Sequence, residues 1–376
     1  MTLRETILEE IRERGPIPFS RYMDLCLYHP ELGYYSRNAE QFGKAGDFYT
    51  SSDIHAVFGR LLARQFEQMW RVLGSPGQIE ILELGPGRGL FAQDVLDWSE
   101  KKFPEFFGAL HYRLAESSPA LRERLQHTLG RHFQTGRASL SQRLELSSTG
   151  PVIIFANEFF DALTVEILSP EGELRIAEKD GRFVETWATP SSEALEFLDR
   201  YGVHPEPGER VELQLTAPRY MSELAAGITQ GFIIAIDYGY TRQEQLAGRH
   251  RGTLTAYRQH SVSTNPYEAP GEQDITAHVN FTALTAAAEL QGMYVHPLLT
   301  QSQFLLGIGE NNQFADAFEE CRLLQERAKV ALQLKHLVTP AGMGETFHVL
   351  VASKGVEAQK VESLSGLSFG KDAARL

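Results

Sequence analysis

The feature that most constrains this chain is a set of three alternate glycines that follows a short apolar segment. The segment is Ile79–Leu84, and Gly85, Gly87 and Gly89 come directly after it. Apolar residues resume at helical spacing from Leu90, so the pattern predicts a buried strand, a tight turn and a helix. Glycine adopts left-handed backbone angles without strain and lets a ligand approach the main chain closely. The stretch therefore predicts the first βα turn of a sheet that binds a nucleotide-like molecule.

Three more apolar runs end in polar or acidic residues, as the first one does. They span residues 111–118, 151–163 and 231–239, and helical patterns separate them. Strands that alternate with helices form a parallel sheet with helices on both faces, and such sheets bind ligands at the carboxyl ends of their strands. The predicted fold class is therefore α/β, with a doubly wound and mostly parallel sheet.

Segments outside this pattern predict additions to the sheet. Residues 1–75 have the pattern of an N-terminal helical cap with a loop. Residues 76–355 are predicted to form the main domain, with an insertion at 164–228 in which Asp180-Gly181 indicates a β-hairpin turn. Residues 356–376 are mostly small and polar and are predicted to form a mobile tail.

Two acids beside the glycine turn indicate which ligand it suits. A dinucleotide turn has the spacing G-x-G-x-x-G, whereas here the spacing is G-x-G-x-G and Glu83 precedes it. A carboxylate at that point repels a pyrophosphate but attracts an ammonium group. Glu116 ends the second run, where an acid can accept hydrogen bonds from both ribose hydroxyls. Together the two acids predict S-adenosylmethionine, with S-adenosylhomocysteine as the product. The alternative is a plain tight turn with Glu116 as a solvated cap.

The third run ends in the sequence NEFFDAL, which predicts an acceptor site at Asn157, Glu158 and Asp161. A methyl acceptor must be held in line with the methyl group that it attacks, so such a site mainly positions the acceptor. Paired carboxylates can grip a guanidinium, which stays charged at neutral pH, through two parallel hydrogen bonds. The alternative is that the two acids cap the next helix while Phe159 and Phe160 pack in the core.

Charge and cysteine content argue against several classes of protein. The 36 basic and 49 acidic side chains give a net charge of −13, which disfavours a nucleic acid as partner. Cys26 and Cys321 match no zinc or disulfide pattern, and no metal site is predicted. The first helix carries Glu5, Glu9 and Glu10, unlike an acid-poor transit peptide, and no uncharged run is long enough to cross a bilayer. The sequence thus predicts a cytoplasmic protein without membrane insertion.

Seven blocks of sequence resemble the MidA-like family of S-adenosylmethionine-dependent methyltransferases. They are GDFYTS (46–51), ELGPGRG (83–89), NEFFDAL (157–163), IDYG (236–239), GTLTAYRQH (252–260), DITAHVNF (274–281) and VTPAGMGETF (338–347). The resemblance implies a class I methyltransferase, with a Rossmann-like, mostly parallel seven-stranded sheet, and a protein arginine as the methyl acceptor. The family includes a mitochondrial assembly factor that methylates a subunit of respiratory complex I, so the resemblance implies a respiratory complex subunit as the substrate.

The resemblance also implies roles by position. Its implied cofactor residues are Glu83, Gly85, Gly87, Gly89 and Glu116, and its implied acceptor residues are Asn157, Glu158 and Asp161. Thr164 stands where the family usually has proline, and this difference concerns the acceptor pocket. Residues 47–53 are predicted to close over the cofactor as a lid, with a structural loop as the alternative.

Other functions stay open on the sequence alone. A small-molecule methyltransferase would have the same fold, and a non-catalytic assembly factor would bind the cofactor only for stability. A nicotinamide oxidoreductase is a third alternative, which Glu83 and the glycine spacing disfavour. The basic stretch 249–260 is more typical of a solvated surface than of an RNA-binding site. A homodimer is a further prediction.

Overall fold

The apolar runs of the sequence become the strands of the main sheet in a computed structural model of the chain. The structure describes residues 1–37, 56–142, 150–248, 252–258, 261–263 and 265–369. Its helices are α1 Leu3–Arg14, α2 Phe19–Tyr28, α3 Ala56–Val72, α4 Leu90–Lys102, α5 Pro104–Ala109, α6 Pro119–Thr128, α7 Gly130–Gln134, α8 Ser192–Tyr201, α9 Thr216–Gly227, α10 Arg242–Leu246, α11 Phe281–Leu290, α12 Gln301–Glu310, α13 Ala315–Phe318, α14 Leu324–Val338 and α15 Ala358–Val361. Among the described residues, none of these helices combines the length and the apolarity that crossing a bilayer requires.

The strands in the described part of the chain are short on average, and the longest of them has ten residues. They are β1 Ile17–Pro18, β2 Ile79–Leu84, β3 Leu110–Ala115, β4 Ala138–Ser141, β5 Val152–Asn157, β6 Glu166–Ser169, β7 Gly172–Lys179, β8 Arg182–Ala188, β9 Val211–Leu213, β10 Gly231–Tyr240, β11 Thr255–Arg258, β12 Ser261–Ser263, β13 Asp274–Thr276, β14 Val279–Asn280, β15 Tyr294–Val295, β16 Leu299–Thr300 and β17 Phe347–Lys354.

Seven strands of the larger sheet lie in the order β15-β17-β10-β5-β2-β3-β4, while β16 pairs with β17 and β14 with the end of β10. The pairs from β10 to β4 are parallel. The chain passes from β2 through β3 to β4 on one side and returns to β5 and β10 on the other, so the strand order reverses between β2 and β5. Ligands of such sheets bind beyond the carboxyl ends of the strands at this reversal. The predicted doubly wound, mostly parallel sheet is confirmed.

The strands beside the reversal are buried on both faces, which explains their nearly continuous apolar sequences. All six residues of β2 are buried. On one face Phe91 of α4 stacks on Phe155 of β5 with the ring centroids 4.5 Å apart, and Phe66 of α3 meets Phe155 edge-on at 5.5 Å. Such aromatic packing holds α4 against the sheet, and it thereby fixes the glycine turn from which α4 begins.

The chain divides into two compact units, each built from three separate stretches. The first unit contains Met1–Phe48, Phe159–Ser222 and Tyr238–Ala287, and the second contains Tyr49–Glu158, Glu223–Asp237 and Ala288–Leu376. The row of seven strands belongs to the second unit, with β10 included as far as Asp237. The predicted domains at 1–75, 76–355 and 356–376 follow sequence order instead, and that division stays a prediction.

In the first unit an antiparallel sheet packs with the two N-terminal helices. Its strand β1 pairs with β7, which places Ile17 opposite Ile176. Strands β7 and β8 form a hairpin whose turn residues, Asp180 and Gly181, both have left-handed backbones with φ of 53° and 72°, as a two-residue turn between twisted strands requires. The predicted N-terminal helices and the hairpin insertion are confirmed. Because Leu174 and Ile176 of β7 are completely buried, the hairpin is part of the core of this unit.

The C-terminal residues as far as 369 are folded, which corrects the predicted mobile tail. Leu364 and Leu367 are buried, in and beside a 3₁₀ helix. The main-chain N–H of Gly366 donates a hydrogen bond to Gln65 Oε1 at 2.9 Å, and a Cβ at Gly366 would lie 2.5 Å from Phe304 Cε2. A few apolar residues and one close backbone approach thus anchor a segment whose composition is polar. Residues 370–376 lie outside the described part of the chain.

Candidate active site

The glycine turn joins β2 to α4 through three alternate left-handed residues. Gly85, Gly87 and Gly89 have φ of 61°, 53° and 78°, a region in which a residue with a side chain is strained. The N–H of Gly85 donates to the carbonyl of Ala115 at 3.1 Å, which holds the start of the turn at the edge of the sheet. At Gly89 a Cβ would lie 2.6 Å from Leu125 Cδ2. The turn therefore depends on glycine both for its backbone angles and for its packing.

Glu83 lies one residue before the end of β2, and its side chain is buried. Its Oε2 accepts a hydrogen bond from the hydroxyl of Tyr112 at 2.9 Å. Burial raises the pKa of Glu83 to about 8, and the hydrogen bond from Tyr112 opposes that rise. The carboxyl of Glu83 is therefore mostly protonated at neutral pH in the ligand-free protein, and an approaching ammonium group would favour its ionised form.

Glu116 follows β3 and lies beside the start of α6. Its Oε1 accepts a hydrogen bond from the N–H of Ser118 at 2.8 Å, and Ser118 in turn caps α6. Burial raises the pKa of Glu116 to about 7, while the N–H groups of Ser118 and Ser117 lower it. The residue is 8% exposed, so it is not the solvated cap that the sequence left open. A carboxylate held at the sheet edge in this way can accept hydrogen bonds from ribose hydroxyls.

Strand β5 ends in an uncommon backbone conformation. Glu158 has a left-handed backbone with φ of 50°, and its N–H donates to the carbonyl of Ile236 at 2.9 Å, which extends the pairing with β10. Asn157 Nδ2 donates to Glu158 Oε1 at 3.0 Å. Asn157 Oδ1 is buried and accepts no hydrogen bond from the described residues. A left-handed backbone at a residue other than glycine costs about 1 kcal/mol or more, and such strain is concentrated at functional positions.

Asp161 belongs to the first unit and is buried there. Burial raises the pKa of Asp161 to about 6, and a hydrogen bond from the hydroxyl of Tyr238 opposes that rise. The main-chain oxygen of Asp161 accepts a hydrogen bond from the N–H of Ala277 at 3.1 Å. The structure therefore brings Asn157 and Glu158 into contact, whereas the pairing of Glu158 with Asp161 stays a prediction.

Tyrosine side chains lie around Asp161 in the first unit. The hydroxyl of Tyr35 donates to Asp274 Oδ1 at 2.8 Å, and the hydroxyl of Tyr28 donates to the carbonyl of Ala162 at 2.8 Å. The rings of Tyr28 and Tyr35 stack with their centroids 5.5 Å apart. Burial raises the pKa of Tyr35 well above its usual value, and the charges of Asp274 and Asp161 add to that rise. Two carboxylates and several aromatic rings thus share one region of this unit.

Comparison with known proteins identifies the chemistry. The model of a family of S-adenosyl-L-methionine-dependent methyltransferases matches residues 61–298, more than half of the chain. The chain belongs to this family. The predicted family and enzyme class are confirmed, and the enzyme's cofactor is S-adenosylmethionine.

Two solved structures from Burkholderia thailandensis resemble the methyltransferase over nearly all of its length. One is a superfamily member bound to S-adenosyl-homocysteine, with a TM-score of 0.81 and 27% sequence identity, and the match covers 97% of this chain and 94% of that chain. The other is a native crystal structure of a protein of that superfamily, with a TM-score of 0.80 and 26% identity. The likeness confirms the Rossmann-like fold of class I methyltransferases.

Curated relatives of the methyltransferase carry the name of a mitochondrial protein arginine methyltransferase. The NDUFAF7 homolog of Drosophila melanogaster is 30% identical, and the match covers 98% of this chain and 88% of that protein. Human NDUFAF7 is 26% identical, with 91% of this chain and 81% of that protein covered. Both are named as mitochondrial, so the prediction of a cytoplasmic protein was wrong. The acidic first helix on which it depended belongs to the folded core of the first unit and does not report the compartment.

The residues of the methyltransferase fit this cofactor. The left-handed glycine turn lies at the reversal of strand order, with a buried acid before it at Glu83 and another after β3 at Glu116. Sequence reasoning missed Tyr112 as the hydrogen-bond donor to Glu83, because nothing in an apolar strand marks which hydroxyl reaches a neighbouring strand. It also missed the strain at Glu158, since a glutamate gives no local signal of a left-handed backbone.

Two further predictions fall wholly or partly outside the described residues. The predicted lid at 47–53 lies outside the described residues. Of the basic stretch 249–260, Arg249 to Arg251 and His260 also lie outside them. Arg258 is described, and its Nη2 donates to Glu272 Oε2 at 2.6 Å, so its charge is paired with an acid at the surface.

Proposed function

We propose that this methyltransferase transfers a methyl group to the guanidinium of an arginine in a protein substrate. The names of the curated relatives support arginine as the acceptor. A respiratory complex subunit as the substrate rests on the family resemblance and stays a prediction, as does a homodimer.

The contact between Asn157 and Glu158 is the observation that carries the proposal. A guanidinium has five N–H donors and no acceptor, so its site must present acceptors only. The amide of Asn157 uses its Nδ2 group on the carboxylate of Glu158, which leaves Oδ1 of Asn157 directed elsewhere as a buried acceptor. The opposite orientation of the amide would place its oxygen against the carboxylate. The end of β5 therefore offers a carboxylate and an amide oxygen together, which suits a group that only donates hydrogen bonds.

The other predicted residues have roles that their surroundings support. S-adenosylmethionine supplies an electrophilic methyl group on a positively charged sulfur. We infer that the glycine turn and Glu83 bind the methionine end of the cofactor and that Glu116 accepts hydrogen bonds from its ribose. Asp161 would be the second acceptor carboxylate. With a pKa of about 6 it is mostly ionised at neutral pH, as a partner of a cation must be.

Methyl-labelled S-adenosylmethionine and the purified enzyme test the proposal when both are added to a lysate of cells that lack the gene. The label should enter protein, and acid hydrolysis should release it as methylated arginine. Label in another amino acid would reject arginine as the acceptor, and label confined to small molecules would favour the small-molecule alternative. The absence of any label, with cofactor binding intact, would favour a non-catalytic assembly factor.

Asn157→Leu tests whether the amide oxygen of Asn157 binds the acceptor. Leucine has nearly the same volume but no acceptor, so methylation of protein should fall about tenfold or more, as when one hydrogen bond to a charged group is lost, while S-adenosylhomocysteine affinity stays within about twofold. Asn312→Leu is the matched control, since Asn312 also donates to a neighbouring carboxylate, that of Asp316, and also has a buried Oδ1 without a described donor. Equal losses in the two variants would show that the effect is a general one on folding.

A further inference from the structure

Helix α14 carries an exposed apolar and basic surface in the second unit. Every residue from 322 to 329 is exposed, and the side chains of Leu323, Leu324 and Leu332 are 60%, 85% and 68% exposed. Within the helix only Leu337 is fully buried. Helices of this length in proteins depend on burying one face, because they are marginal in water alone. No residue in the first two turns of α14 is buried, although the guanidinium of Arg327 lies over the ring of Phe318, 5.6 Å from its centroid.

The exposed apolar residues lie on one face of the helix. At 100° per residue, Leu324, Ala328, Ala331 and Leu332 fall within about 100° of arc, roughly opposite Leu337. Lys335 lies among them, and Arg327 and Lys329 lie on the two flanks of the same face. We call this set of seven residues, together with Leu323, the α14 surface. Long basic side chains beside leucines can extend their charges away from an apolar layer while the leucines enter it.

The charge of this segment is opposite to that of the whole protein. Residues 322–338 contain Arg322, Arg327, Lys329, Lys335 and one acid, Glu326, so their net charge is 4 − 1 = +3, whereas the chain carries −13. The carboxylate of Glu326 accepts hydrogen bonds from the N–H groups of Arg322 and Leu323 at 2.7 and 2.9 Å, so it caps the helix.

The acids that precede the helix are also paired. Glu320 forms ion pairs with Lys101, at 2.7 Å, and with Arg60. Glu319 pairs with Lys102 at 2.5 Å. Neither Lys329 nor Lys335 has an ion pair with a described residue. The α14 surface is therefore a local basic region whose neighbouring acids are already neutralised.

We propose that the α14 surface binds an anionic lipid surface, with its leucines inserted at the level of the headgroups and its lysines and arginine against the lipid phosphates. Amphipathic helices with Leu on one side and Lys or Arg beside it bind membranes in this way without crossing them. This inference goes beyond the proposed function and does not depend on the identity of the methyl acceptor.

A lipid surface fits this helix better than the alternatives. A second copy of the chain would bring its own Arg327, Lys329 and Lys335 against those of the first, and like charges in contact repel. A protein partner needs roughly 800 Å² per side for a stable interface, and eight side chains on one convex helix do not provide that area. A bilayer deforms around protruding leucines and sets no minimum area.

Sedimentation with lipid vesicles tests the proposal on the full-length protein. Vesicles of phosphatidylcholine alone and with about a third phosphatidylglycerol serve as probes, chosen because basic residues bind the anionic lipid selectively. We expect binding only to the anionic vesicles, and weaker binding as salt is added. Lys329→Gln with Lys335→Gln should weaken binding by about fivefold for each lysine. Leu324→Ser with Leu332→Ser should weaken it to a similar or greater degree.

Leu290→Ser with Lys360→Gln is the matched control in the same unit, because Leu290 is 74% exposed and Lys360 is an exposed lysine outside α14. The control should bind vesicles as the unchanged protein does. All variants should also bind S-adenosylhomocysteine with unchanged affinity, and this result would show that they are folded. Binding that is equal in the α14 variants and the control would overturn the proposal. So would no binding to anionic vesicles, and in that case a mass of two chains that the leucine variants reduce to one would assign the surface to a second copy.

Discussion

The ends of β2 and β5 lie on either side of the strand-order reversal, and both leave the sheet through a left-handed backbone. Beyond β2 the chain uses glycine at all three left-handed positions, Gly85, Gly87 and Gly89. Beyond β5 it uses Glu158, although φ is 50° there and a side chain makes that conformation unfavourable. The two turns have similar backbone geometry and opposite residue choices.

The difference indicates what each turn contributes. A turn that presents its main chain to a ligand needs no side chain, so glycine satisfies it without strain. A turn that must present a carboxylate cannot use glycine, and the surrounding structure has to stabilise the strained backbone. At Glu158 the pairing with β10 and the hydrogen bond from Asn157 supply that support. The comparison therefore predicts that the two ends respond in opposite ways to exchange between glycine and larger residues.

The largest effect is expected at Glu158. Glu158→Gly relieves the backbone strain, so the free energy of unfolding should stay the same or rise by up to about 1 kcal/mol. Methyl transfer should fall by about a hundredfold or more, because the carboxylate that accepts hydrogen bonds from the guanidinium is lost. Asp180→Gly is the matched control, because Asp180 is also an acidic residue with a left-handed backbone, φ 53°, but lies in a hairpin turn. The control should keep full activity. A fully active Glu158→Gly enzyme would reject the role that we assign to this carboxylate.

The next effect is expected in the glycine turn. Gly87→Val places a β-branched residue at a φ of 53°, which should destabilise the fold by about 2 to 3 kcal/mol and weaken S-adenosylhomocysteine binding by at least about tenfold. Gly136→Val imposes a similar strain, since Gly136 has φ of 69° and open space around it, but it lies after α7. Calorimetric titration should show nearly normal affinity in that control. Equal affinities in the two variants would mean that the turn does not contact the cofactor.

The smallest effect concerns the acids beside the turn. Burial raises the pKa of Glu116 from 4.5 to about 7, so the folded protein holds this proton more tightly than the unfolded chain does. The resulting stabilisation is complete below about pH 4.5 and is lost as the pH rises through 7. Ribose hydroxyls bind the ionised form better, so Glu116 should contribute an about tenfold rise in S-adenosylhomocysteine affinity between pH 6 and pH 8, as its ionised fraction does.

Substitutions distinguish the contribution of Glu116 to the pH dependence of affinity from that of Glu83. Glu116→Gln should remove the step in affinity near pH 7 and leave a step near pH 8, where Glu83 titrates in the ligand-free protein. Glu83→Gln should remove that second step. An unchanged pH profile in Glu116→Gln would show that another group binds the ribose. Calorimetry from pH 5.5 to 9 covers both steps.

The sheet and the glycine turn could be predicted because their signals are local. A strand buried on both faces has to be apolar along its length, and a turn with three left-handed residues and no side chain to present favours glycine, so β2 and Gly85 to Gly89 are visible in the sequence. The region around Asp161 gives weaker signals. The hydrogen bond between Tyr35 and Asp274 joins residues 239 positions apart, and no spacing rule predicts such a contact. The folded C-terminal segment was missed because three apolar residues and Gly366 anchor a stretch of polar composition.

The pairing of β1 with β7 has a consequence for how the protein is made. Ile17 meets Ile176 across that ladder, so the partner strand leaves the ribosome only after 176 − 17 = 159 more residues have been added. At about 5 to 20 residues per second, this delay is roughly 8 to 30 s. During that time the apolar faces of α1 and α2 have no partner from β7, and the complete first unit requires residues as far as Ala287. The nascent chain is therefore expected to need a chaperone during translation.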